Sequence, residues 1–301
     1  MGFQGYLTIR SSYIYANGLR IHYLRWQVDN SRLPVILLHG LASNAHIWDL
    51  VAPSLASAGL DCFAPDARGH GLSDKPENYS FEAMTADLAA FLEACRIERP
   101  LLVGHSWGGM VALEYAARIS IGPHSPCGLV LVDGGFSQLD DQPEITWETI
   151  SKQLAPPRLA GMSLDLFMTK IREWTAPWKP DEAVFPIILA NFDIDENDII
   201  APHLTFERHM RILREIWEFQ TYQRFKQVRC PVLMVPAISP EPHTPQEKNF
   251  LAAKEHGIAL AQKSIQQLKV TWMKDTIHDI PLQRPSELAD LVRDFADGLA
   301  V

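Results

Sequence analysis

The apolar and polar positions of the chain follow two alternating patterns. Short, mainly apolar runs occupy residues 35–38, 60–65, 101–103, 129–132, 232–235 and 270–273. Runs of this length predict strands that are covered on both faces of a sheet. Between them, apolar residues recur at helical spacing, as from Phe81 to Cys95, a stretch that Ser80 is predicted to cap. This alternation predicts an α/β fold with a doubly wound, mostly parallel sheet.

One segment departs from the alternation. Residues 137–225 show helical periodicity and no convincing strand, with helices predicted at 144–154, 163–174, 181–192 and 205–225. We therefore predict an α/β core of residues 1–136 and 226–301, and an inserted helical cap of residues 137–225. Large apolar side chains in the cap predict that it lines an apolar pocket. These residues are Trp147, Phe167, Met168, Trp174, Trp178, Phe185, Phe192 and Trp217.

The strongest chemical signal is the sequence Gly104-His-Ser106-Trp-Gly108-Gly109, between a predicted strand and a predicted helix. A serine at such a turn adopts strained backbone angles that expose its Oγ, and small residues two positions away on each side prevent a clash. The N-terminus of the helix adds partial positive charge where an oxyanion would develop. We predict that Ser106 is a catalytic nucleophile.

Two further loops carry the remaining groups of such a site. His278 follows the last predicted strand and precedes the C-terminal helix, where a general base that comes after the nucleophile is expected. The sequence His39-Gly-Leu41 ends the strand at 35–38, where sheets of this kind place one oxyanion-hole amide; the residue after the nucleophile supplies the other. We predict His278 as the base and the backbone N–H groups of Leu41 and Trp107 as the oxyanion hole.

These motifs, with the sequence from Asp66 to Ser73, resemble those of the α/β-hydrolase superfamily over nearly the whole chain. The resemblance implies a central sheet of about eight strands, a helical cap and no cofactor. It also places Ser106 at the nucleophile position and His278 at the base position. The loop from Asp66 to Ser73 is expected to be structural.

The acid of the triad is less clear from this resemblance. Many members carry an Asp shortly after the seventh strand, but the segment 235–243 contains none, and only Glu241 is available there. Other members place the acid at the end of the sixth strand, where this chain has Asp133. We predict Asp133 as the acid and keep Glu241 as the alternative.

The identity of the nucleophile narrows the predicted activity. Epoxide hydrolases and haloalkane dehalogenases resemble this organisation but attack with an Asp, so Ser106 argues against both. We predict a carboxylesterase-like serine hydrolase that cleaves esters or lactones of a small apolar molecule. The alternatives are C–C bond hydrolysis, amide hydrolysis or cofactor-free perhydrolysis by the same triad, or a ligand receptor built on a hydrolase scaffold.

Composition and charge exclude several other classes. The net charge is -9 and no Lys/Arg cluster is present, which argues against nucleic-acid binding. No apolar stretch approaches the ~20 residues of a membrane span, and the N-terminus lacks the pattern of a secretory signal. Neither an H-E-x-x-H motif nor metal-like cysteine spacing occurs. These features predict a cytoplasmic protein with four free cysteines and no metal, membrane or nucleic-acid partner.

Overall fold

The structure, a computed structural model, describes residues 9–141 and 145–299. Its strands are β1 (Ile9–Ala16), β2 (Leu19–Trp26), β3 (Leu33–Leu38), β4 (Leu60–Pro65), β5 (Leu101–His105), β6 (Gly128–Val132), β7 (Met162–Ser163), β8 (Phe192–Ile194), β9 (Ile199–Pro202), β10 (Val232–Val235) and β11 (Leu268–Val270). Its helices are α1 (Ala52–Ser57), α2 (Phe81–Cys95), α3 (Trp107–Arg118), α4 (Trp147–Gln153), α5 (Leu164–Thr175), α6 (Val184–Leu189), α7 (Phe206–Glu218), α8 (Thr221–Phe225), α9 (Pro245–Ser264), α10 (Ile280–Gln283) and α11 (Pro285–Asp297). Glu144, where one predicted helix begins, lies outside the described residues.

Eight of the strands in the described ranges form one sheet in the order β1-β2-β4-β3-β5-β6-β10-β11. The pairs β1–β2 and β2–β4 are antiparallel, and the other pairs are parallel. The predicted mostly parallel, eight-stranded sheet is therefore confirmed. Because β3 lies between β4 and β5, the strand order reverses there, and the carboxyl ends of β3 and β5 border a crevice.

The strand β3 shows why the chain needs continuous apolar runs. Ile36 and Leu38 pack into the apolar cluster that contains residues of α2 and α3. Val35 and Leu37 point to the other face, into the cluster that contains residues of α1 and α11. Each face of the sheet is thus covered by helices, so successive residues of a central strand are all buried.

The segment between β6 and β10 contains the helices α4 to α8 and a small antiparallel sheet in the order β7-β9-β8. The prediction that this segment has no strand is therefore wrong. Its strands are only two to four residues long, too short to display an alternating pattern. The predicted helix at 205–225 is also divided, because extended backbone at Phe219 separates α7 from α8.

Helix ends and helix lengths supply two further observations. The Ser80 hydroxyl accepts the Ala83 N–H at 3.3 Å, which confirms the predicted cap of α2. Across residues 9–141 and 145–299, no helix combines the length and the apolar content that crossing a bilayer requires.

Candidate active site

Ser106 lies at the turn between β5 and α3. Its φ of 54° and ψ of -121° fall in a region that residues with a side chain rarely adopt. A Cβ at Gly104 would collide with the carbonyl of Gly108, and a Cβ at Gly108 would collide with the carbonyl of Leu38. The glycines on both sides of Ser106 are therefore needed for the turn that holds the serine at the carboxyl edge of the sheet.

His278, in the loop between β11 and α10, connects Ser106 to Asp133. Its Nε2 is 2.8 Å from the Oγ of Ser106, and its Nδ1 is 2.6 Å from the Oδ2 of Asp133. With its proton on Nδ1, the ring donates to Asp133 and accepts from the Ser106 hydroxyl, as a general base must. The fold thus joins three side chains that lie far apart in the sequence.

Asp133 follows β6 directly, and its side chain is fully buried. Its Oδ1 accepts the Ala237 N–H at 2.8 Å, and both of its oxygens contact the Lys254 ammonium group. Burial alone would raise the pKa of Asp133, but the hydrogen bond and charge of His278 and the charge of Lys254 outweigh it and lower the pKa to about 2. Asp133 is therefore a carboxylate at neutral pH.

Glu241, the alternative acid, lies elsewhere. Its side chain is exposed to solvent. Within the described residues it forms neither a hydrogen bond nor an ion pair with His278, whose Nδ1 is occupied by Asp133. The geometry favours Asp133 over Glu241 as the partner of the base.

The environment of His278 sets its basicity. The ring lines the cavity at Ser106, and 54% of the side chain is exposed. Burial lowers the pKa of His278, but the hydrogen bond and charge of Asp133 outweigh burial, so the pKa lies above the ordinary value of 6.5. The ring is therefore protonated up to a higher pH than that of a free histidine.

His105, which was not among the predicted site residues, contacts the loop that carries His278. Its Nε2 donates to the backbone carbonyl of His278 at 2.9 Å and so ties the base loop to the turn that carries Ser106. Burial lowers the pKa of His105 to about 4, which keeps the ring neutral at pH 7. The only signal in the sequence was its position directly before Ser106.

The two residues predicted to form the oxyanion hole share a cavity with Ser106. Leu41 follows β3, Trp107 begins α3, and both line the cavity at Ser106. A Cβ built at Gly40 would lie 3.2 Å from the Cβ of Ser106, so glycine lets this loop approach the serine closely. Among the described residues, no backbone carbonyl accepts the N–H of Leu41 or Trp107, which leaves both donors available to an oxyanion.

A second Ser–His–Asp chain, which the sequence analysis did not predict, lies at the β1–β2 hairpin. Ser11 Oγ is 2.8 Å from His22 Nε2, and His22 Nδ1 is 2.8 Å from Asp66 Oδ2. Asp66 also accepts the N–H groups of Ala45 at 2.7 Å and Leu72 at 2.9 Å. These contacts join the hairpin to two loops, which supports the structural role expected of the Asp66–Ser73 loop.

Two cavities meet at Ser106. The larger has a volume of about 550 Å³ and extends to one face of α7 and one face of α9. Its apolar wall includes Met110, Leu213, Ile216, Phe250 and Leu251, and its polar wall includes His209, His243, Glu247 and Lys254. The smaller cavity has a volume of about 240 Å³ and is lined by residues such as Ser43, Ile187, Asn191 and Asp279.

Residues of the segment 137–225 line both cavities at Ser106, but the large apolar side chains on which the pocket prediction was based do not. None of the eight named residues lines either cavity at Ser106 in the described part of the protein. Phe167, Phe185 and Phe192 pack in a small core within the insertion, and Trp174 is 52% exposed. The insertion contributes other residues, among them Leu154 and the α7 residues His209, Leu213 and Ile216 in the larger cavity, and Ile187, Ile188 and Asn191 in the smaller one.

The described residues offer no obvious metal site. Across 9–141 and 145–299, no three His, Cys, Asp or Glu side chains are arranged to hold a metal ion. The four cysteines are free thiols. Burial raises the pKa of the Cys95 thiol to about 11 and that of Cys230 to about 12, so both stay protonated at neutral pH.

Comparison with known sequences gives the same family for part of the chain. A family model described as the alpha/beta hydrolase fold matches residues 34–172. A cis-3-alkyl-4-alkyloxetan-2-one decarboxylase of Shewanella oneidensis is 33% identical over 143 residues, which are 45% of this chain and 42% of the relative. Epoxide hydrolase A of Mycobacterium tuberculosis is 38% identical over 112 residues, which are 35% of this chain and 34% of the relative. The chain thus matches less than half the length of either relative.

Solved structures resemble almost the whole chain. An E-2-(acetamidomethylene)succinate hydrolase superposes with a TM-score of 0.74 at 18% identity, covering 97% of this chain and 100% of the other. The thioesterase domain from the curacin biosynthetic pathway superposes with a TM-score of 0.72 at 19% identity, covering 95% of this chain and 99% of the domain. At such low sequence identity, these structural similarities show a shared fold and not a shared function.

Proposed function

Because the chain belongs to the α/β-hydrolase superfamily and joins Ser106, His278 and Asp133 by hydrogen bonds, we propose that it is a serine hydrolase. In this proposal it cleaves carboxylic esters or lactones through an acyl-enzyme. The observation that carries the proposal is the continuous chain of hydrogen bonds from the Ser106 hydroxyl to the buried Asp133 carboxylate.

The first half of the reaction forms the acyl-enzyme. The Oγ of Ser106 attacks the ester carbonyl while the Nε2 of His278 takes the hydroxyl proton. The Leu41 and Trp107 N–H groups stabilise the negative oxygen of the tetrahedral intermediate. The imidazolium then gives its proton to the leaving alcohol, and the C–O bond breaks; in a lactone the alcohol remains attached to the acyl group.

The second half releases the acid. Nε2 of His278 removes a proton from a water molecule, which attacks the acyl carbonyl, and the Ser106 oxygen leaves with the proton that the imidazolium returns. Asp133 keeps its negative charge throughout, since its pKa lies far below neutrality. Its role is to hold the Nδ1 tautomer and to stabilise the imidazolium in both halves.

The two cavities support a substrate with two parts, one on each side of the scissile bond. We propose that residues 137–225 act as a cap that supplies one wall of each cavity and so selects the substrate. The apolar wall of the larger cavity favours an apolar group, since each buried CH₂ stabilises binding by about 0.8 kcal/mol. The oxetan-2-one in the name of the Shewanella relative is a four-membered lactone, so strained lactones belong among the candidate substrates.

The alternatives use the same groups on other bonds or do not use them at all. Amide hydrolysis, C–C bond hydrolysis and perhydrolysis would need the same triad, and a ligand receptor would need none of its reactivity. A hydrogen-bonded triad with two unpaired N–H groups in the same cavity favours an enzyme over the receptor, because donors preorganised for a developing oxyanion serve acyl transfer.

The proposal is tested first by a fluorophosphonate probe with peptide mapping, because this reagent reports an activated serine without knowledge of the substrate. We expect modification at Ser106 and none in a Ser106→Ala variant. Labelling at a different serine, or none on the folded wild-type protein, would remove the serine-hydrolase assignment. Turnover of p-nitrophenyl esters but not of matched p-nitroanilides or 1,3-diketones would separate ester cleavage from amide and C–C bond hydrolysis.

The role of the larger cavity is tested by a panel of esters whose acyl and alcohol chains are lengthened in turn. We expect kcat/KM to rise by up to roughly fourfold per CH₂ until the cavity is filled. Leu213→Trp, which narrows this cavity, should reduce activity on long esters more than on short ones. The matched control is Leu166→Trp, because Leu166 is 49% exposed on α5 and lies away from both cavities. Equal losses for long and short esters would disconnect the cavity from substrate selection.

A further inference from the structure

Lys254 contacts the site but has no part in the triad mechanism. Its Nζ lies 2.7 Å from Oδ1 and 3.0 Å from Oδ2 of Asp133, and it donates to the Ala237 carbonyl at 2.9 Å. Only 20% of the side chain is exposed, and Lys254 lines the larger cavity. A lysine held in this way has lost most of its hydration, so its position is set by these three oxygens.

The packing of α9 explains how a lysine reaches this place. Gly257 faces the backbone of Phe136, three residues after Asp133, and a Cβ there would collide with the Phe136 carbonyl. Glycine at this position therefore lets α9 lie close to the end of β6. Lys254 is one helical turn before Gly257 on the same face, and its side chain points along that face into the site.

We propose that Lys254 is a positioning residue of the Ser106–His278–Asp133 site, which fixes the Asp133 carboxylate and makes the protonation of His278 less favourable. This inference rests on the proposed function for its catalytic meaning, but its electrostatic part concerns His278 alone. The ammonium holds the carboxylate at both oxygens, so Asp133 keeps the orientation that receives Nδ1–H. Its positive charge also opposes a second positive charge on the imidazole ring.

Several groups act on the pKa of His278 together, and Lys254 opposes the effect of Asp133. The charged and titratable groups that face His278 are His105 from β5, Asp133 after β6, Asp279 in its own loop and Lys254 from α9. Burial lowers the pKa of His278, Asp133 and Asp279 raise it, and Lys254 lowers it. Without Lys254, the two carboxylates would hold the ring protonated to a higher pH, and less free base would be present at neutrality.

The size of the effect follows from the distances. Lys254 Nζ and His278 Nδ1 contact the same carboxylate oxygen at 3.0 and 2.6 Å, so their charges lie within about 6 Å of each other. At that separation the repulsion corresponds to about 0.5 to 2 pH units in the titration of the imidazole, depending on the local dielectric.

The test is the titration of His278 itself, followed by NMR on protein labelled at histidine, with the resonance identified by its loss in His278→Gln. Lys254→Met and Lys254→Gln both remove the charge. Lys254→Gln keeps a hydrogen-bond donor and replaces Lys254→Met in the test if that variant does not fold. Lys254→Arg keeps the charge. The matched control is Lys263→Met, which removes an exposed lysine from the last turn of the same helix.

We expect the pKa of His278 to rise by about 0.5 to 2 pH units in the two neutral variants, by less than half of that in Lys254→Arg, and not at all in Lys263→Met. The acidic limb of kcat/KM should move by the same amount. An unchanged His278 titration in the neutral variants, or an equal rise in Lys263→Met, would overturn the inference. If His278 shifts as expected but Ser106 is not labelled by the fluorophosphonate, the proposed function fails while the electrostatic role of Lys254 stands.

Discussion

The chain contains two Ser–His–Asp hydrogen-bond chains of nearly equal geometry, at Ser106–His278–Asp133 and at Ser11–His22–Asp66. In each, a serine hydroxyl lies 2.8 Å from Nε2, and a carboxylate lies 2.6 or 2.8 Å from Nδ1. Asp133 and Asp66 both have a pKa of about 2, because the histidine partner and other donors outweigh burial. By distances and charge alone, the two sets are hard to distinguish.

Their surroundings differ in every respect that acyl transfer needs. Ser106 occupies a strained turn before α3, beside the free N–H groups of Leu41 and Trp107. Ser11 lies within β1, whose backbone is paired along its length with β2. The ring of His278 is 54% exposed, whereas only 2% of the His22 side chain is exposed. A hydrogen-bonded triad is therefore not sufficient for acyl transfer, which also needs oxyanion donors and an accessible base, and of the two sets only Ser106–His278–Asp133 has unpaired N–H groups in its cavity and an exposed histidine.

The largest expected difference between the two sets is in the serines. Ser106→Ala should lower the turnover of a p-nitrophenyl ester by about 10⁴- to 10⁶-fold, because it removes the nucleophile. Ser11→Ala should leave kcat/KM within about twofold, since Ser11 has no oxyanion donors and lines neither cavity. Steady-state kinetics on both purified variants checks this. If Ser11→Ala loses activity while circular dichroism shows an intact fold, the second chain is not merely structural.

The acid gives the next largest effect. Asp133→Asn should lower kcat by about 10⁴-fold, because the amide cannot accept Nδ1–H while it also accepts the Ala237 N–H and the Lys254 ammonium. Glu241→Gln, an exposed carboxylate changed in the same way, should retain activity within about twofold. Kinetics with circular dichroism on each variant measures this. The reverse ranking would move the acid to Glu241, and small equal losses would leave His278 without a carboxylate partner.

At Asp66 the expected effect is mainly on stability. Asp66→Asn leaves at least one of three donors unpaired, at His22, Ala45 or Leu72, which costs about 1–3 kcal/mol. We expect Tm to fall by a few degrees while kcat stays within about tenfold. The folded pKa of about 2 lies below the ordinary 3.8, so the contribution of Asp66 is present above pH 3.8 and is lost as the pH falls through 2. The Tm difference between wild type and variant should therefore narrow on acidification; a difference independent of pH would contradict this account.

The pattern of the sequence was most informative where local physics decides the structure. The run at 35–38 and the cap at Ser80 were both recognisable, because burial on two faces and helix capping depend on neighbouring residues. The strands β7, β8 and β9 were missed because so few residues carry no periodic signal. The aromatic residues of the insertion misled the pocket prediction, since apolar content does not reveal which face of a helix meets the cavity.

The class of fold and the residues that can carry chemistry were predictable from the amino-acid sequence. A serine between glycines at a strand–helix junction and a histidine after the last strand restrict the chemistry, because those backbone positions admit few residue types. The choice of Asp133 as the carboxylate that contacts His278, the contact of Lys254 with it, and the Ser11–His22–Asp66 chain all depend on the packing of the folded chain. These are contacts between segments separated by tens to hundreds of residues, and they depend on how strands and helices pack, which no local pattern records.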